Sequence, residues 1–378
     1  MFPHIRISGT PYERGRQYGQ QAIPQIQRSI ASYAMLFAHD RGIDWQQAQQ
    51  VAGDYIDVLD VQAPAMLAEM RGIADGAGYT LAAIVALNAR TELLAGYGVT
   101  GMHPDGAAAL ERNRAAGLPQ IPARTECTAL AVLPEATANG EMFLAQTWDW
   151  IRSQRAACVV LRVQSNDHPD VITLTEGGMV GKIGLNRAGL GVCLNILSSY
   201  DDGQTPQLPI HVLLRLLLEQ DSYTSARHLL DAVRGGASSN ITLGTAEGRA
   251  VCYEITPGAT RAIEPQDGLL VHTNHCLLPA THANERPIPA ESSTRPRYNR
   301  ATELLAELRG QVTAPRLMEV LRDQQGAPLC ICRTADESLH PADQSETVAA
   351  VVLDLPQRVM HLAPDRPCAT DFVPIALA

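Results

Sequence analysis

The sequence has no apolar run long enough to cross a bilayer and no basic stripe that could neutralise a row of phosphates. Its longest apolar stretches, near 212–218 and 348–353, are far shorter than the roughly 20 residues that a transmembrane helix needs. The formal net charge of -10 is spread over many segments. We therefore expect neither a membrane nor a nucleic acid as a partner.

A secretory signal is also missing from the amino-terminal 21 residues, which carry Arg6, Glu13, Arg14 and Arg16 in place of a continuous apolar run. This absence predicts a soluble, cytoplasmic enzyme. The eight cysteines are scattered along the chain, without the spacing of a small secreted domain. We therefore expect reduced thiols rather than a disulfide framework.

With 378 residues and an apolar fraction of 46%, the chain can bury a large core. Residues 10–97 have a helical pattern, with start signals at Asp44 followed by Gln47, and at Thr80. Turn formers without a period fill 98–125, which predicts an exposed connector. We expect two parts, a helical segment over 1–126 and a sheet-rich part over 127–378.

After Glu126 the sequence pattern changes to short apolar runs that are typical of β-strands. Turn signals at 186–189 and 246–249 predict hairpins between apolar runs. The predicted strands span 128–133, 141–150, 157–163, 171–175, 347–353 and 358–362, and the predicted later helices span 209–218, 224–233 and 297–308. Helices followed by strands, helices and strands indicate a layered α+β fold with antiparallel sheets.

Cys127 lies where the connector meets the first β run. A thiol with its usual pKa of about 8.5 is mostly protonated at neutral pH, so it needs a base to act as a nucleophile. Cleavage of the Glu126–Cys127 bond would supply one, because the freed α-amine has a pKa of about 7.7–8. By itself the position is weak support, since a cysteine that begins a strand is usually a small buried apolar residue.

Ordered motifs along nearly the whole chain strengthen the case. In the helical segment they are GTPYERG at 9–15, MRGIA at 70–74 and LNARTE at 87–92. More specific ones are CT at 127–128, QTWDW at 146–150, IGLNRAG at 183–189, VHTNHCLL at 271–278 and ICR at 331–333. With these motifs the sequence resembles the penicillin acyltransferase family, an autoproteolytic family of N-terminal-nucleophile (Ntn) cysteine hydrolases.

The resemblance implies a four-layer αββα sandwich whose precursor cleaves itself before the nucleophilic cysteine, here between Glu126 and Cys127. The two fragments would stay folded together. Glu126 departs from the glycine that the family's fungal member has before its nucleophile. The resemblance also implies no cofactor, and a small N-acyl compound or an acyl-CoA thioester as the acyl donor.

Further catalytic roles follow from the resemblance, position by position. Asp149 matches an aspartate that orients the freed amino group, and Arg333 matches an arginine near the thiol. Asn274 matches an oxyanion donor, and Asn195 stands where related bile-salt hydrolases have a second oxyanion or substrate-orienting asparagine. Gln146 replaces the arginine that is usual in the hydrolase branch, which favours the acyltransferase-like branch.

Two other hypotheses remain open at this stage. The first is a metal protein, for which the candidate ligands are His272, His275, Cys276, Cys330 and Cys332. The second is a non-enzymatic relic of the fold that binds a ligand or a subunit and never matures by self-cleavage. Against this second hypothesis stands the joint retention of the residues that the family uses for catalysis.

The cleavage hypothesis predicts one fragment that ends at Glu126 and one that begins at Cys127, as determined by amino-terminal sequencing of the purified protein. Cys127→Ser should cleave more slowly, because a hydroxyl performs the acyl shift but is a poorer nucleophile. Cys127→Ala should remain one intact chain. A large fragment that starts elsewhere, or normal cleavage of Cys127→Ala, would contradict the mechanism.

Overall fold

Two β-sheets lie face to face in the middle of the molecule, and helices cover their outer faces. The computed structural model describes residues 1–97 and 127–377. The predicted connector, 98–125, and the residue before the nucleophile, Glu126, lie outside the described residues. The predicted boundary between the two parts of the chain is therefore described only from Cys127 onward.

The amino-terminal segment is helical, as the sequence predicts, apart from one short strand. Capping boxes begin two of its helices, one from Thr10 with Glu13 and one from Asp44 with Gln47. Strand β1 spans His4–Ile7, and helices α1 to α7 span Pro11–Gln21, Ile23–Arg41, Trp45–Ala52, Asp54–Gln62, Pro64–Ala77, Leu81–Asn88 and Arg90–Ala95.

Strands β4 to β10 of the first sheet span Cys158–Val163, Val171–Glu176, Ile183–Asn186, Leu190–Ile196, Ser239–Thr245, Arg249–Ile255 and Thr260–Ile263. The order of strands in this sheet is β1-β4-β5-β6-β7-β8-β9-β10. Both predicted hairpins are confirmed, since β6 pairs antiparallel with β7 and β8 with β9. At the edge, β1 pairs parallel with β4, a strand and a direction that the sequence does not reveal.

Strands β2, β3 and β11 to β14 form the second sheet and span Cys127–Val132, Phe143–Ile151, Leu269–His272, Ser345–Asp354, Val359–Ala363 and Val373–Ala376. This sheet has the order β11-β2-β3-β12-β13-β14 and is antiparallel throughout. Consecutive residues of a strand point to opposite faces of the sheet, so β2, β3, β11, β12 and β13 each contribute to two different cores.

Side chains of β2 and β3 pack on β7 and β8, which joins the two sheets.

The helices after residue 127 cover the outer faces of the sheets. Helices α8 to α12 span Ile210–Leu218, Tyr223–Ala232, Pro279–His282, Thr294–Leu308 and Ala314–Leu321. Helices α2 and α8 cover the first sheet, and α11 and α12 cover the second. This arrangement confirms the expected four-layer αββα sandwich with largely antiparallel sheets.

The expectation of reduced thiols is wrong for one pair of cysteines. A disulfide joins Cys332 to Cys368, whose Cα atoms lie 6.3 Å apart. The fold brings them together across 36 residues of sequence, which a count of cysteines could not reveal. The other six cysteines are free and buried.

Among the described residues, no helix is both long enough and apolar enough to span a bilayer.

Helices α1 and α5 cross at very short range because glycines face each other. A Cβ added at Gly15 would lie 1.9 Å from the carbonyl oxygen of Glu69, and one added at Gly72 would lie 2.1 Å from that of Tyr12. Real side chains do not reach such distances, so the two backbones would have to separate.

We expect Gly15→Ala to destabilise the protein by about 2 kcal/mol or more, because the added methyl group overpacks the crossing. Helix propensity alone would give the opposite sign, since alanine stabilises an α-helix by about 0.5–1 kcal/mol relative to glycine. Thermal or urea unfolding of the two proteins measures the difference. A more stable variant would show that the helices can move apart at little cost.

Candidate active site

Cys127 begins β2, between β11 and β3 in the second sheet. Its side chain shares the core between the sheets with Ala129 and Ala131, whereas Leu130 and Val132 face the helices behind the sheet. Only 5% of Cys127 is exposed. The thiol is therefore held in the space between the two sheets.

The backbone of Cys127 is held at both ends. Its N–H donates to Oδ1 of Asn274 at 2.6 Å, and its carbonyl accepts from Nη1 of Arg297 at 2.7 Å. Arg297 also donates to Oδ1 of Asn274 through Nη2 at 3.1 Å and to Thr128 Oγ1 at 2.9 Å. A buried guanidinium on α11 thus fixes the residue that begins the strand together with the asparagine that faces it.

Asn274 lies just beyond β11, whose His272 pairs with Ala129 of β2. Because two donors face Oδ1, the orientation of the amide is determined by its contacts. Its Nδ2 donates to the carbonyl of Ile196, at the end of β7, at 2.9 Å. In this structure the Asn274 amide therefore bridges the sheets and holds the Cys127 nitrogen, and its N–H₂ group already has an acceptor.

Asp149 lies on β3, fully buried, and Thr347 Oγ1 donates to its Oδ1 at 2.7 Å. The same hydroxyl accepts from the backbone N–H of Arg333 at 2.9 Å. Near Thr347 the register between β3 and β12 shifts, which re-aims the side chains of both strands. Asp149 and Arg333, predicted from distant motifs, thus meet through a threonine that sequence analysis missed.

Burial, and after it the charge of Asp149, raise the pKa of the Cys127 thiol to about 11. A hydrogen bond from the Asp149 backbone and the positive charges of Lys182 and Arg297 act in the opposite direction. In the intact chain the thiol is consequently protonated at neutral pH, and activation requires a base.

Lys182, like Arg297, is a buried charged residue near Cys127 that the sequence analysis did not assign to the site. Its buried ammonium group donates to Glu176 Oε1 at 2.7 Å and lies 3.4 Å from the ring centroid of Trp148, the cross-strand partner of Cys127. Burial lowers the pKa of Lys182 to about 8. The only cue in the sequence is a lone lysine beside the IGLNRAG motif, which an exposed side chain would match equally well.

Asn195 is fully buried on β7, directly across from Asn240 of β8. It shares a face of the sheet with Cys193, whose Sγ contacts the carbonyl of Ala145 in the second sheet, so it points into the space between the sheets. Neither polar atom of its side chain has a hydrogen-bond partner within the described residues. Unlike Asn274, Asn195 has a buried amide donor that remains available.

Gln146 links the two sheets through the backbone of Leu194. Its Nε2 donates to the Leu194 carbonyl at 2.6 Å, and its Oε1 accepts from the Leu194 N–H at 2.9 Å. The neutral amide at this position therefore has a structural role that a guanidinium could not fill, because it needs an acceptor as well as a donor.

The metal hypothesis is wrong for the residues that it named. His272 bonds to Glu254 at 3.0 Å, and Cys332 is in the disulfide. No group of potential ligands among the described residues includes His275, Cys276 or Cys330. Among the described residues, the potential ligands that do lie close together are those of His39, His340 and Asp343, a group at the surface that includes none of the named residues. Tertiary packing uses the named side chains for other contacts.

Some solved structures resemble the fold at low sequence identity. Penicillin V acylase from Agrobacterium tumefaciens is 14% identical, with a TM-score of 0.47 over 66% of this chain and 86% of that chain. Conjugated bile acid hydrolase from Clostridium perfringens is 11% identical, with a TM-score of 0.48 over 66% of this chain and 92% of that chain.

Similarity in sequence covers more of the chain than these structural matches do. Acyl-coenzyme A:6-aminopenicillanic-acid-acyltransferase 40 kDa form from Emericella nidulans is 29% identical over 359 residues, which cover 93% of this chain and 89% of the relative. A sequence model of the family described as acyl-coenzyme A:6-aminopenicillanic acid acyl-transferase matches residues 136–368, well over half of the chain.

The layered fold and the family match together define an enzyme of the acylase and acyltransferase class, which acts on amide bonds. Within that class, the chain belongs to the acyl-coenzyme A:6-aminopenicillanic acid acyltransferase family. The resemblance inferred from the motifs is confirmed.

We expect alkylation of Cys127 in the intact chain to accelerate about tenfold per pH unit from pH 7 to 10, because only the thiolate reacts and its pKa is raised to about 11. Lys182→Met should slow alkylation below about pH 8, where Lys182 is charged, since it removes a charge that favours the thiolate. Lys182→Arg, the matched control, should retain most of the rate. Mass spectrometry of iodoacetamide-treated protein separates intact from cleaved chains, and a plateau near pH 8 would contradict the prediction.

Proposed function

We propose that the chain is an autoproteolytic amidohydrolase or acyltransferase that uses Cys127, as a new amino terminus, to cleave or form amide bonds. The observation that carries the proposal is the fixed Cys127 nitrogen, 2.6 Å from Oδ1 of Asn274. A hydrogen bond that holds a peptide N–H before cleavage can hold the α-amine afterwards. The catalytic base would then be in place as soon as it forms.

Self-cleavage begins with attack of the Cys127 sulfur on the carbonyl carbon of Glu126. The S–C bond forms, the C–N bond breaks, and the thiol proton ends on the departing nitrogen. Water then hydrolyses the thioester to give the Glu126 carboxylate and regenerate the thiol. Arg297 supports this step because it fixes the Cys127 carbonyl, while Asn274 fixes the nitrogen that becomes the leaving group.

In the mature enzyme, the α-amine takes the thiol proton as the sulfur attacks an N-acyl substrate. The amine component of the substrate leaves with that proton, and an acyl thioester remains on Cys127. Water or another amine then attacks the thioester. An acyl-CoA thioester could load the same cysteine by thiol exchange, which the name of the Emericella nidulans relative supports.

The tetrahedral intermediate carries a negative charge on oxygen and needs donors nearby. Asn195 is suited to this role because its buried amide lacks a partner within the described residues. Asn274 keeps the oxyanion role only if Nδ2 exchanges the Ile196 carbonyl for the oxyanion. We therefore propose Asn195 as a donor that is available from the start, and Asn274 as the residue that orients the amine.

Asp149 is proposed to balance the positive charge that appears when the α-amine takes the thiol proton. Its buried carboxylate is fixed by Thr347, and its effect on the Cys127 pKa indicates that the two groups are close. Arg333 is proposed to hold this arrangement in place, because its backbone N–H donates to the same threonine that fixes the carboxylate.

After cleavage, we propose that the two fragments remain associated in the cytoplasm. Strand β1 of the first fragment pairs with β4 of the second from His4 and Val160 onward. Tyr18 donates to the backbone carbonyl of Glu176 at 2.9 Å, and Arg90 donates to its carboxylate at 3.0 Å. These buried contacts join residues on either side of the proposed cleavage site, so separating the two fragments would expose a large shared core.

We expect Asn195→Ala and Asn274→Ala to differ in their effects on self-cleavage, although both should lower turnover. Removing an oxyanion donor lowers kcat by about 10² to 10³, so Asn195→Ala should process normally and turn over slowly. Asn274→Ala should lower turnover and also slow processing, because it releases the Cys127 nitrogen. Asp149→Asn should impair both reactions.

Gel analysis gives the processed fraction, and mass spectrometry of fully processed protein gives the rate at which N-acyl substrates acylate Cys127. Gln220→Ala, a substitution at a partly buried glutamine that donates to the Leu216 carbonyl on the helical layer, serves as a control that should leave both rates intact. Normal kcat in Asn195→Ala would remove that residue from the oxyanion site, and normal processing with normal turnover in Asp149→Asn would do the same for Asp149.

A further inference from the structure

A cavity of about 40 Å³ lies between helix α7 and the ends of β3 and β7. Its walls include Arg90, Trp150, Ile196 and Asp202. One water needs about 10–15 Å³ by the same kind of measure, so the cavity suits a small group such as a carboxylate rather than a whole substrate.

The cavity borders the proposed catalytic residues. The carbonyl of Ile196 accepts the hydrogen bond from Nδ2 of Asn274, and Ile196 follows Asn195 in the chain. Trp150 follows Asp149 on β3. A substrate whose reacting carbon lies at Cys127 could therefore place one end in this cavity.

Arg90 lines the cavity and is 2% exposed. Its guanidinium carbon lies 4.7 Å from the ring centroid of Trp150 and 5.1 Å from that of Tyr33, so the two aromatic rings fix its plane. Nη2 donates to Glu176 at 3.0 Å, whereas Nε and Nη1 have no hydrogen-bond partner within the described residues. Buried charged donors without acceptors are costly, which indicates a missing partner.

The nearby carboxylates do not supply that partner. Glu176 also accepts from Lys182 at 2.7 Å, Gln154 at 2.7 Å and Tyr33, so its oxygens are shared among several donors. Glu92 accepts from the Ile210 N–H at 2.8 Å, and Asp202 accepts from Ser199 and Ser238. Neither of these two carboxylates is hydrogen-bonded to Arg90.

We propose that the cavity binds a carboxylate of the substrate through an unpartnered N–H of Arg90, at Nε or Nη1, which selects carboxylate-bearing N-acyl compounds. Either donor can form a charge-assisted hydrogen bond with a carboxylate oxygen. The inference rests on the proposed function, because it places the substrate's reacting carbon at Cys127. It makes Arg90 of the first fragment a specificity-determining residue for chemistry on the second.

The test uses matched substrate pairs that differ only in one carboxylate. One pair tests the amine side, an N-acylglycine against the same N-acylglycinamide, and the other tests the acyl side, a glutaryl amide against a butyryl amide. In one of the two pairs, we expect kcat/KM of the processed enzyme to be at least about tenfold higher for the carboxylate member. Equal values in both pairs would overturn the inference.

Arg90→Lys should remove most of this preference, mainly through a higher KM for the carboxylate member, because lysine has one nitrogen and lacks the fixed Nε and Nη1 donors. Arg215→Lys is the matched control, since that buried arginine already bonds to Glu69, Glu219 and the Val180 carbonyl. It should keep the wild-type preference even if it unfolds at a lower temperature. An unchanged preference in processed Arg90→Lys would also overturn the inference.

The outcomes separate the two proposals. If no member of either pair acylates Cys127, the proposed function fails. If the neutral and carboxylate members acylate Cys127 equally well, the proposed function stands and only the role of Arg90 is wrong.

Discussion

The hydrogen bond from the Cys127 nitrogen to Oδ1 of Asn274 is the contact around which the site is arranged. It exists because β11 pairs with β2 and brings the residues after β11 to the start of β2. Arg297 donates hydrogen bonds to the Cys127 carbonyl and to Oδ1 of Asn274. The Nδ2 of Asn274 donates to the carbonyl of Ile196 in the first sheet. One side-chain amide therefore ties the nucleophile to both sheets and to a helix.

Burial creates the chemical problem that this arrangement has to solve. The space between the sheets excludes water and raises the pKa of the Cys127 thiol, so the intact chain holds an unreactive sulfur. Lys182 and Arg297 offset part of that cost with fixed positive charge. In the proposed mechanism, cleavage adds a base beside the sulfur, which changes its reactivity without moving the fold.

A second buried centre joins the helical segment to the sheets. The Glu176 carboxylate accepts from Arg90 and Tyr33 of that segment and from Gln154 and Lys182 of the sheet-rich part. Although burial alone would raise its pKa, Arg90 and Lys182 hold the pKa of Glu176 below the usual value. The carboxylate is therefore ionised, and it couples the segment before the proposed cut to the charge near the nucleophile.

The sequence by itself determined the order of the elements and the residues of the motifs. Apolar periodicity and turn residues are local signals, so they predicted the helical segment, the hairpins and Cys127 at the start of a strand. Tertiary structure alone decided which distant residues meet. Arg297 and Lys182 resemble exposed charges until packing buries them, β1 is too short to recognise without its partner, and Cys332 finds Cys368 only in the folded chain. The physical reason is that contacts between residues far apart in sequence depend on how sheets and helices stack, and a single chain carries no local signal of that stacking.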